Sequence, residues 1–507
     1  MDSSNKLVLK NTLYLYSRQI FILIVNLYTY RLILQLLGVE DYGIYQVVGG
    51  IVALFTIING ALSSGSSRFI TFALGKNNIT ELQDTFNASF RIHLLLAIII
   101  FILLETIGLW YINTYLIVPE GRLNATNWIF QFSIISCMLT LTQVPYSALI
   151  IAHERMDIYA YTGIAEAIFK LILTGILFII PNIDKLIIYG LLICIWSIIL
   201  QGYYRFYCYK YYPESHLNRI RDKSLLKKIL SFSFWDVIGC FTVQGNAQGV
   251  NILINAFFGV IYNASFGLAN QVRNILTQFV NNFMTAVNPQ LIKNYALHDY
   301  NKVKFLMFNS SKLGFLLFIA FAIPVFIEAD CLLSFWLKEV PDKATLFLRL
   351  TLIVSMIRSF AAPVVTTIHA SGNIKFLNIW SGGFSVIMTL PLTYFSYKLG
   401  YPIHYTYYIT ILVCLICNYI ELIVLKKENN NFTIWEYTKN VYLPCCILVV
   451  PLVIPSILLT YIILPSIIRV IMISITHIIL LIIFVFLFIL TPSQRKEMIL
   501  KLKVLKN

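Results

Sequence analysis

The sequence predicts an all-α integral membrane protein of about 14 transmembrane helices. Three observations support this fold class. Only 12% of the 507 residues are charged and 59% are hydrophobic, whereas soluble domains carry about 25% charged residues. The apolar runs reach the roughly 20 residues that a helix needs to cross a bilayer, and they are too long for barrel strands. The segments between them are too short to hold a soluble catalytic domain.

Each predicted helix is an apolar run bounded by polar or charged residues. The first set spans residues 11–37, 41–72, 87–112, 127–151, 157–180 and 184–207. The second set spans residues 229–257, 262–292, 303–328, 344–369, 374–398, 403–425, 438–463 and 465–491. A basic segment separates the two sets.

Lys and Arg residues lie mainly in loops on one side of the predicted membrane. With the amino terminus inside, about 22 of them are cytoplasmic and about 5 lie on the far side. Because cationic loops resist translocation, both termini are predicted to face the cytoplasm. The net charge of +15 comes from clusters that flank helices, which favours contact with anionic lipid headgroups over nucleic-acid binding.

The nine cysteines predict neither a disulfide framework nor a metal site. Eight of them lie in or beside predicted helices. Cys414 and Cys417 form a CxxC pair within an apolar helix, but no second ligand pair accompanies it, so core packing is its expected role. We therefore expect no metal and no cofactor.

A short internal repeat indicates two similar halves. Leu-Leu-Gly-Val at residues 36–39 ends the first predicted helix, and Phe-Phe-Gly-Val at residues 257–260 ends the seventh. In both halves a long helix rich in polar and small residues follows. Because six helices separate the two sites, the halves share one orientation and should be related by an axis along the membrane normal.

The repeat predicts two six-helix lobes and two extra carboxy-terminal helices. The predicted segments are an amino-terminal lobe at residues 1–208, a basic cytoplasmic linker at 209–228, a carboxy-terminal lobe at 229–425, the two extra helices at 426–491 and a basic cytoplasmic tail at 492–507.

Amide side chains follow one face of the seventh and eighth predicted helices. In the seventh helix they recur at spacings of four, three and four, which forms a single stripe on an α-helix. Stripes this long exceed what helix packing needs, so we expect them to line a water-filled cavity between the lobes. The small and polar residues of the second predicted helix have two alternative roles, helix packing and cavity lining. The expected lining residues are Gln46, Gln244, Gln248, Asn251, Asn255, Asn270, Asn274, Gln278 and Asn281.

Basic residues within the helices predict an anionic ligand. Arg273 lies about 11 residues into its predicted helix, roughly 16 Å along it and close to the midplane. A cation at that depth costs several kcal/mol unless it faces water or an anion, and its planar guanidinium suits phosphate oxygens. Arg18 and Arg68 lie closer to the inner surface, where snorkelling or a lipid headgroup is an alternative. The predicted ligand-binding cations are Arg273, Arg31, Arg18, Arg68 and Lys312.

Acidic residues are fewer in these helices. Glu166 precedes Lys170 by four residues, which predicts a structural ion pair along one helix. The cavity is therefore expected to be net cationic and to select an anionic substrate.

Two tracts carry a family resemblance. The tract Leu-Gly-Val-Glu-Asp-Tyr-Gly-Ile-Tyr at residues 37–45, with the glycines at 49 and 50, and the tract from Trp235 to Gln290 resemble polysaccharide transporters. These are the Wzx-type flippases of the multidrug/oligosaccharidyl-lipid/polysaccharide (MOP) exporter superfamily. The resemblance implies a MATE-like, V-shaped pair of lobes that opens alternately to each side of the membrane.

The resemblance also implies a substrate. Such proteins move an undecaprenyl-diphosphate-linked oligosaccharide, a repeat unit of O-antigen (lipopolysaccharide), capsule or a related surface glycan, to the periplasmic leaflet of the bacterial inner membrane. Its diphosphate matches the expected cationic cavity, and amides suit sugar hydroxyls. The implied partners are this lipid-linked oligosaccharide, membrane lipids, and surface-glycan polymerase and assembly proteins. Coupling to a proton or sodium gradient is proposed in the family.

Other functions stay open. A MATE-type cation-coupled multidrug exporter usually has about 12 helices and acidic cavity residues, and a peptidoglycan lipid-precursor flippase shares the mechanism. A membrane enzyme is disfavoured because His153, His298 and His369 all map to the inner side and no base and nucleophile converge. We expect a transporter that is not an enzyme.

Overall fold

A computed structural model of the protein describes residues 3–53, 56–76, 78–114, 121–179, 184–218, 224–337, 340–489 and 495. This part of the chain is helical throughout and contains no β-strand. The all-α class predicted from the sequence is therefore confirmed.

Eighteen α-helices, numbered α1 to α18 in chain order, lie within these ranges. The first seven are α1 (Ser3–Ala53), α2 (Thr56–Gly75), α3 (Ile79–Leu103), α4 (Leu109–Thr114), α5 (Leu123–Ala152), α6 (Met156–Ile179) and α7 (Lys185–Tyr211). The next six are α8 (Ser224–Phe258), α9 (Val260–Ala296), α10 (Tyr300–Ile327), α11 (Ala329–Trp336), α12 (Ala344–Arg358) and α13 (Ala361–Ser371). The last five are α14 (Phe384–Lys398), α15 (Tyr405–Glu428), α16 (Ile434–Tyr437), α17 (Leu443–Ile462) and α18 (Ile467–Phe484).

Short turns of other helix types join or extend several of these helices. A 3₁₀ turn follows α7 at Pro213–Ser215. The π-helical turns are Leu104–Gly108, Leu377–Gly383, Thr438–Tyr442 and Val485–Ile489. Because a π turn keeps the backbone hydrogen-bonded, these helices continue through the membrane without exposing unpaired amides.

Eight helical segments of the described chain are long and apolar enough to cross a membrane. A ninth results if α12 and α13, which meet at a bend of 42°, form one span. Helices α1, α2, α8 and α9 are not among these segments. The total of about 14 spans stays a prediction.

The predicted break between the first two helices is wrong. The sequence places it at Gly38, whereas α1 runs through this position to Ala53. A lone glycine costs a helix only about 1 kcal/mol relative to alanine, which is too little to end it. Gly259 in the matching motif has a φ of +86° and separates α8 from α9. The repeated motif therefore interrupts the helix in one half only.

The chain divides into two compact units. The amino-terminal unit comprises Leu7–Cys240, and the carboxy-terminal unit comprises Phe241–Asn507 together with Met1–Lys6. The division falls within α8, so one long helix contributes to both units.

At one end of the amino-terminal unit, Arg122 joins three helices. It precedes α5, and its Nε donates to Asp41 Oδ1 of α1 (2.8 Å) while its Nη1 donates to Asp184 Oδ2 (2.7 Å). Asp184 also caps α7, because its Oδ1 accepts the Leu186 N–H at 3.1 Å. Burial lowers the pKa of Arg122, but its hydrogen bonds and charge interactions with the two carboxylates outweigh burial and raise it.

At the other end of α5, a second polar contact fastens the loop that follows α7. His153 Nε2 lies 2.6 Å from Glu214 Oε1, and its ring stacks on Tyr212 with centroids 4.2 Å apart. Burial raises the pKa of Glu214, but hydrogen bonds, above all the one with His153, hold it below its usual value.

In the carboxy-terminal unit, a polar network supports the bend between α12 and α13. Arg358 Nη1 donates to Glu421 Oε1 (2.9 Å) and to Asn418 Oδ1 (3.1 Å), both on α15. Ser381, in the π turn Leu377–Gly383, donates to the same Glu421 oxygen at 2.9 Å. The two irregular backbone segments are therefore attached to one helix, α15.

The last two long helices, α17 and α18, belong to the same unit. Arg469 of α18 donates from Nη2 to Glu328 Oε2, just past the end of α10, at 2.7 Å. The side chains of this pair are 12% and 0% exposed. His477 Nε2 lies 3.2 Å from the Ile319 carbonyl oxygen of α10. The last long helix, α18, is thus attached to α10 by a buried ion pair near its first turn and by the His477 contact further along.

We expect Glu328→Gln to destabilise the protein by about 3 kcal/mol, because it leaves a buried arginine without its counter-charge. The melting temperature in detergent measures this loss. Asp330→Asn is the matched control, because Asp330 lies two residues after Glu328 and also pairs with an arginine, Arg349. The Asp330 side chain is 71% exposed, and exposed ion pairs contribute about 1 kcal/mol at most. An equal loss for both variants would contradict the locking role of Glu328.

We also expect the amino-terminal unit to be acid-sensitive through Glu214. A carboxyl group whose pKa is lowered by folding stabilises the native state above its unfolded-state pKa, about 4.3, and this contribution disappears as the pH falls through the folded-state pKa. Between pH 5 and about pH 3, the melting temperature of Glu214→Gln should therefore fall less than that of the wild type. The control is Glu81→Gln, which removes a more exposed pair with Lys76. Parallel pH profiles for the wild type and Glu214→Gln would refute this contribution.

Candidate functional site

In the carboxy-terminal unit, α8 packs through one face and presents amides on the other. Asn246 Nδ2 donates to Ser385 Oγ of α14 at 2.9 Å. A Cβ atom on Gly249 would lie 2.6 Å from Leu390 Cδ2, so α8 approaches α14 closely here. Gln244 and Gln248 lie on the opposite face and are exposed. Neither amide has a hydrogen-bond partner among the described residues.

Asn251 extends the same α8 face by one turn and is half-buried. The close approach at Gly249 fixes the direction of this row of amides, because rotating α8 about its axis would drive larger side chains into α14. A tight contact on one side of the helix therefore fixes which amides point away from the packed interior.

The second polar stripe lies on α9. At 100° per residue, its polar residues fall within about 140° of the helix circumference. Asn274 and Asn281 are exposed, whereas Asn270, Arg273 and Gln278 are half-buried. Arg273 Nη2 donates to Asn274 Oδ1 at 3.1 Å. The arginine is thus surrounded by amides along its own helix.

Arg273 has no carboxylate partner within the described chain. It lies 13 residues after Val260, where α9 begins, or about 20 Å along the helix. Tyr407 of α15 lies close enough for the two side chains to interact electrostatically. An arginine deep in a membrane protein without a counter-charge favours a site for an anionic group.

The other predicted cations occupy different surroundings. Arg18 of α1 lies over the Tyr159 ring of α6, with 4.7 Å between Cζ and the ring centre. A Cβ atom on Gly163 would lie 2.1 Å from Arg18 Nε, so a larger residue at this position would force the Arg18 side chain to move. Lys312 of α10 is half-buried near Cys445 of α17. These placements leave the roles of Arg18 and Lys312 as predictions.

Arg68 of α2 is enclosed by aromatic rings. It is 7% exposed, and its Cζ lies 4.4 Å, 4.7 Å and 5.7 Å from the ring centres of Phe69, Phe72 and Phe232. Such cation–π contacts stabilise a buried guanidinium. The proposed phosphate contact of Arg68 also stays a prediction. The side chains of three further predicted residues, Arg31, Gln46 and Asn255, lie outside the described residues.

A cavity of about 540 Å³ lies inside the amino-terminal unit, between α1, α5, α6 and α7. No local sequence pattern indicates this cavity. Glu166 and Lys170 form part of its wall, and the predicted ion pair between them is confirmed by an Nζ–Oε1 distance of 2.8 Å. Polar residues on three other helices complete the lining. They lie far apart in the sequence, so only the packing of the helices brings them together. These residues are Asn26, Thr29, Thr140, Gln143 and Ser197.

Comparison with known proteins identifies relatives of both sequence and fold. Residues 8–294 match the family described as polysaccharide biosynthesis protein. No curated protein matches the sequence. Several solved structures resemble most of the fold at low sequence identity.

One similar structure is a MATE point mutant, with a TM-score of 0.71, 11% identity, and coverage of 85% of this chain and 99% of that chain. Another is the outward-facing conformation of a multidrug resistance MATE family transporter of the MOP superfamily, with a TM-score of 0.69, 11% identity, and coverage of 84% and 96%. A MATE in the bent conformation has a TM-score of 0.70, 11% identity, and coverage of 84% and 97%. These likenesses show that the chain has the MATE-like fold predicted from its sequence.

The packing of α8 predicts a difference between two glycines of that helix. Alanine at either position gains helix propensity of up to about 1 kcal/mol. At Gly249 the new methyl group must also displace Leu390, which costs about 1–3 kcal/mol. No atom lies within 4 Å of a Cβ on Gly245. The melting temperature of Gly249→Ala should therefore lie below that of Gly245→Ala. Equal values would mean that α8 does not rely on close approach to α14.

Proposed function

Because the chain belongs to the polysaccharide biosynthesis protein family, we propose that it is a flippase for an undecaprenyl-diphosphate-linked oligosaccharide. It moves this cargo from the cytoplasmic to the periplasmic leaflet of the bacterial inner membrane by alternating access, with both of its own termini in the cytoplasm. The cargo is a repeat unit of O-antigen, capsule or a related surface glycan. The family and the fold are those of membrane transporters rather than enzymes.

The arrangement around Arg273 is the observation that carries this proposal. A guanidinium without a carboxylate partner in the described chain offers forked N–H donors to diphosphate oxygens. The neighbouring amides of α8 and α9 each provide donors and an acceptor, which is the combination that sugar hydroxyls require. Residues 241–296 include no Asp or Glu, so this surface attracts anions.

The mechanism follows from the cost of moving charge through hydrocarbon. A diphosphate in the bilayer core loses its hydration, and this loss is the main barrier to spontaneous flipping. A polar, cationic surface replaces water around the diphosphate and sugars during transfer. The undecaprenyl chain is apolar and stays in the lipid phase. A proton or sodium gradient supplies the direction, and surface-glycan polymerase and assembly proteins take the product.

Two other cargoes fit the same fold. A MATE-type multidrug exporter handles organic cations, and the multidrug transporter with a similar structure supports this alternative. An organic cation needs an acidic surface, however, and the α8 and α9 stripes contain no Asp or Glu. A flippase for the peptidoglycan lipid precursor would use the same diphosphate chemistry, so only a transport assay separates it from the proposed cargo.

We expect Arg273→Ala to abolish surface-glycan export while the protein still accumulates in the membrane. Arg273→Lys should restore export only in part, because an ammonium keeps the charge but loses the forked geometry. Surface-glycan staining and a membrane immunoblot measure the two quantities. The control is Ile275→Ala, two residues away and on the opposite face of α9. Full export by Arg273→Ala would remove this residue from the site.

Reconstitution tests the cargo directly. Purified protein in liposomes should transfer a fluorescent lipid-linked oligosaccharide between leaflets under an imposed proton or sodium gradient. Exchange of a cationic dye without lipid transfer under any gradient would favour the multidrug exporter. A fluorescent peptidoglycan precursor serves as the third substrate, and its preferential transfer would identify the other flippase.

A further inference from the structure

The outer face of α7 is apolar along most of its length. Exposed residues recur on it at spacings of four, three, four, three and four, which forms one stripe of an α-helix. The members of this outer stripe are Leu191, Ile195, Ile198, Gly202, Arg205 and Tyr209. Ile193, Trp196 and Leu200, which line the internal cavity, lie on the opposite side of the helix. Since α7 is long and apolar enough to cross a membrane, its outer stripe faces lipid.

Arg205 is the single charged residue of the outer stripe. It lies six residues before Tyr211, where α7 ends, or about 9 Å along the helix. An arginine at this depth reaches the membrane surface by snorkelling. Tyr203, Phe206 and Tyr209 are exposed around it, and exposed aromatic rings are typical of the interface between hydrocarbon and headgroups. The guanidinium therefore lies at the level of the lipid phosphates.

The protein holds one side of this guanidinium. The orientation that satisfies both amide atoms of Gln201 places its oxygen 2.7 Å from Arg205 Nη2 and 3.1 Å from Nε. Arg205 Cζ lies 5.9 Å from the ring centres of both Phe90 and Tyr146. The residue is nevertheless exposed, and its Nη1 has no hydrogen-bond partner within the described chain. The side chain is thus positioned by the protein and keeps donors for a ligand.

The charge around Arg205 is positive. Within the described chain it has no carboxylate partner. Residues 185–211 contain no Asp or Glu, and Lys210 adds a second exposed cation near the end of the helix. Glu214, the next acidic residue along the chain, pairs with His153. This end of α7 therefore attracts anions, and a guanidinium binds phosphate oxygens through forked hydrogen bonds.

Gly202 leaves a notch beside the cation. It precedes Arg205 by about one turn on the outer stripe, and no atom lies within 4 Å of a Cβ placed on it. Beyond the notch, Ile198 and Ile195 continue the stripe to about 15 Å from Arg205 along the helix. This distance matches the roughly 15 Å of hydrocarbon in one leaflet. An acyl chain can follow the stripe while its phosphate contacts the guanidinium.

We propose that the outer stripe of α7 binds an anionic phospholipid of the surrounding bilayer, with phosphatidylglycerol as the simplest example. Arg205 donates to the lipid phosphate, and one acyl chain lies in the notch at Gly202. Phosphatidylethanolamine carries an ammonium group that the arginine repels, so it should bind less tightly than phosphatidylglycerol. The site does not depend on the proposed function, because bilayer lipid surrounds α7 whatever the cargo is.

Native mass spectrometry of the purified full chain in detergent, titrated with phosphatidylglycerol, tests the site. We expect the first phosphatidylglycerol to bind the wild type more tightly than the first phosphatidylethanolamine. Arg205→Gln should weaken this first phosphatidylglycerol about tenfold, because it removes a charged hydrogen bond to the phosphate. Arg155→Gln is the matched control, since Arg155 is an exposed arginine of the same unit but pairs with Asp157 at 2.9 Å. Equal affinities for the wild type and Arg205→Gln, or an equal loss in the control, would overturn the proposal.

A second pair of variants tests the acyl-chain path without changing any charge. Gly202→Leu fills the notch and should weaken phosphatidylglycerol binding about fourfold, as for the loss of one buried methylene. Its melting temperature should not fall, because leucine has a higher helix propensity than glycine and meets no neighbouring atom. Gly175→Leu is the control, since Gly175 of α6 is exposed and equally open. Unchanged binding by Gly202→Leu would refute the path along the stripe.

Competition identifies the source of the phosphate. Inorganic phosphate should leave phosphatidylglycerol bound to the wild type, because it lacks the acyl chain that the stripe contacts. Complete displacement by inorganic phosphate would make Arg205 a site for free anions. Displacement by undecaprenyl diphosphate at a lower concentration than by unlabelled phosphatidylglycerol would make it a cargo site. Either result would refute the assignment to a bilayer phospholipid.

Discussion

A peptide N–H or carbonyl group in hydrocarbon costs several kcal/mol when it lacks a hydrogen-bond partner. This cost governs the whole chain, because apolar segments that enter the bilayer must stay helical. Where the path bends, the backbone keeps its hydrogen bonds through π turns or gains side-chain support. Side chains supply this support at the bend after Arg358. Arg358 and Ser381 each donate a hydrogen bond to Glu421 of α15, which ties two irregular backbone segments to that helix.

The same cost applies to side chains and separates structural charges from the candidate ligand site. Arg469 and Arg358 are matched with carboxylates, and Arg122 is shared between two of them. These pairs connect helices that lie far apart in sequence. Arg273 differs, because amides rather than carboxylates surround it on α9. Its charge is available for a ligand instead of being used within the described fold.

Two polar surfaces of the described chain differ in charge. The stripes of α8 and α9 are cationic and amide-rich, which suits a diphosphate and the hydroxyls next to it. The cavity between α1, α5, α6 and α7 is neutral overall, because its charged lining residues Glu166 and Lys170 pair with each other.

The sequence by itself determined the helical class, the position of most helices, the Glu166–Lys170 pair and the amide stripes. These features depend on residues within a few turns of one another, so local periodicity reveals them. The sequence did not show that α1 continues through Gly38, because a glycine's effect depends on the conformation that its neighbours impose. Nor did it show the aromatic enclosure of Arg68, the Arg469–Glu328 pair or the cavity beside Trp196. Those features join residues far apart in the chain, 141 positions for Arg469–Glu328 and 232 − 68 = 164 for Arg68–Phe232. Only the packing of helices against one another decides which side chains meet.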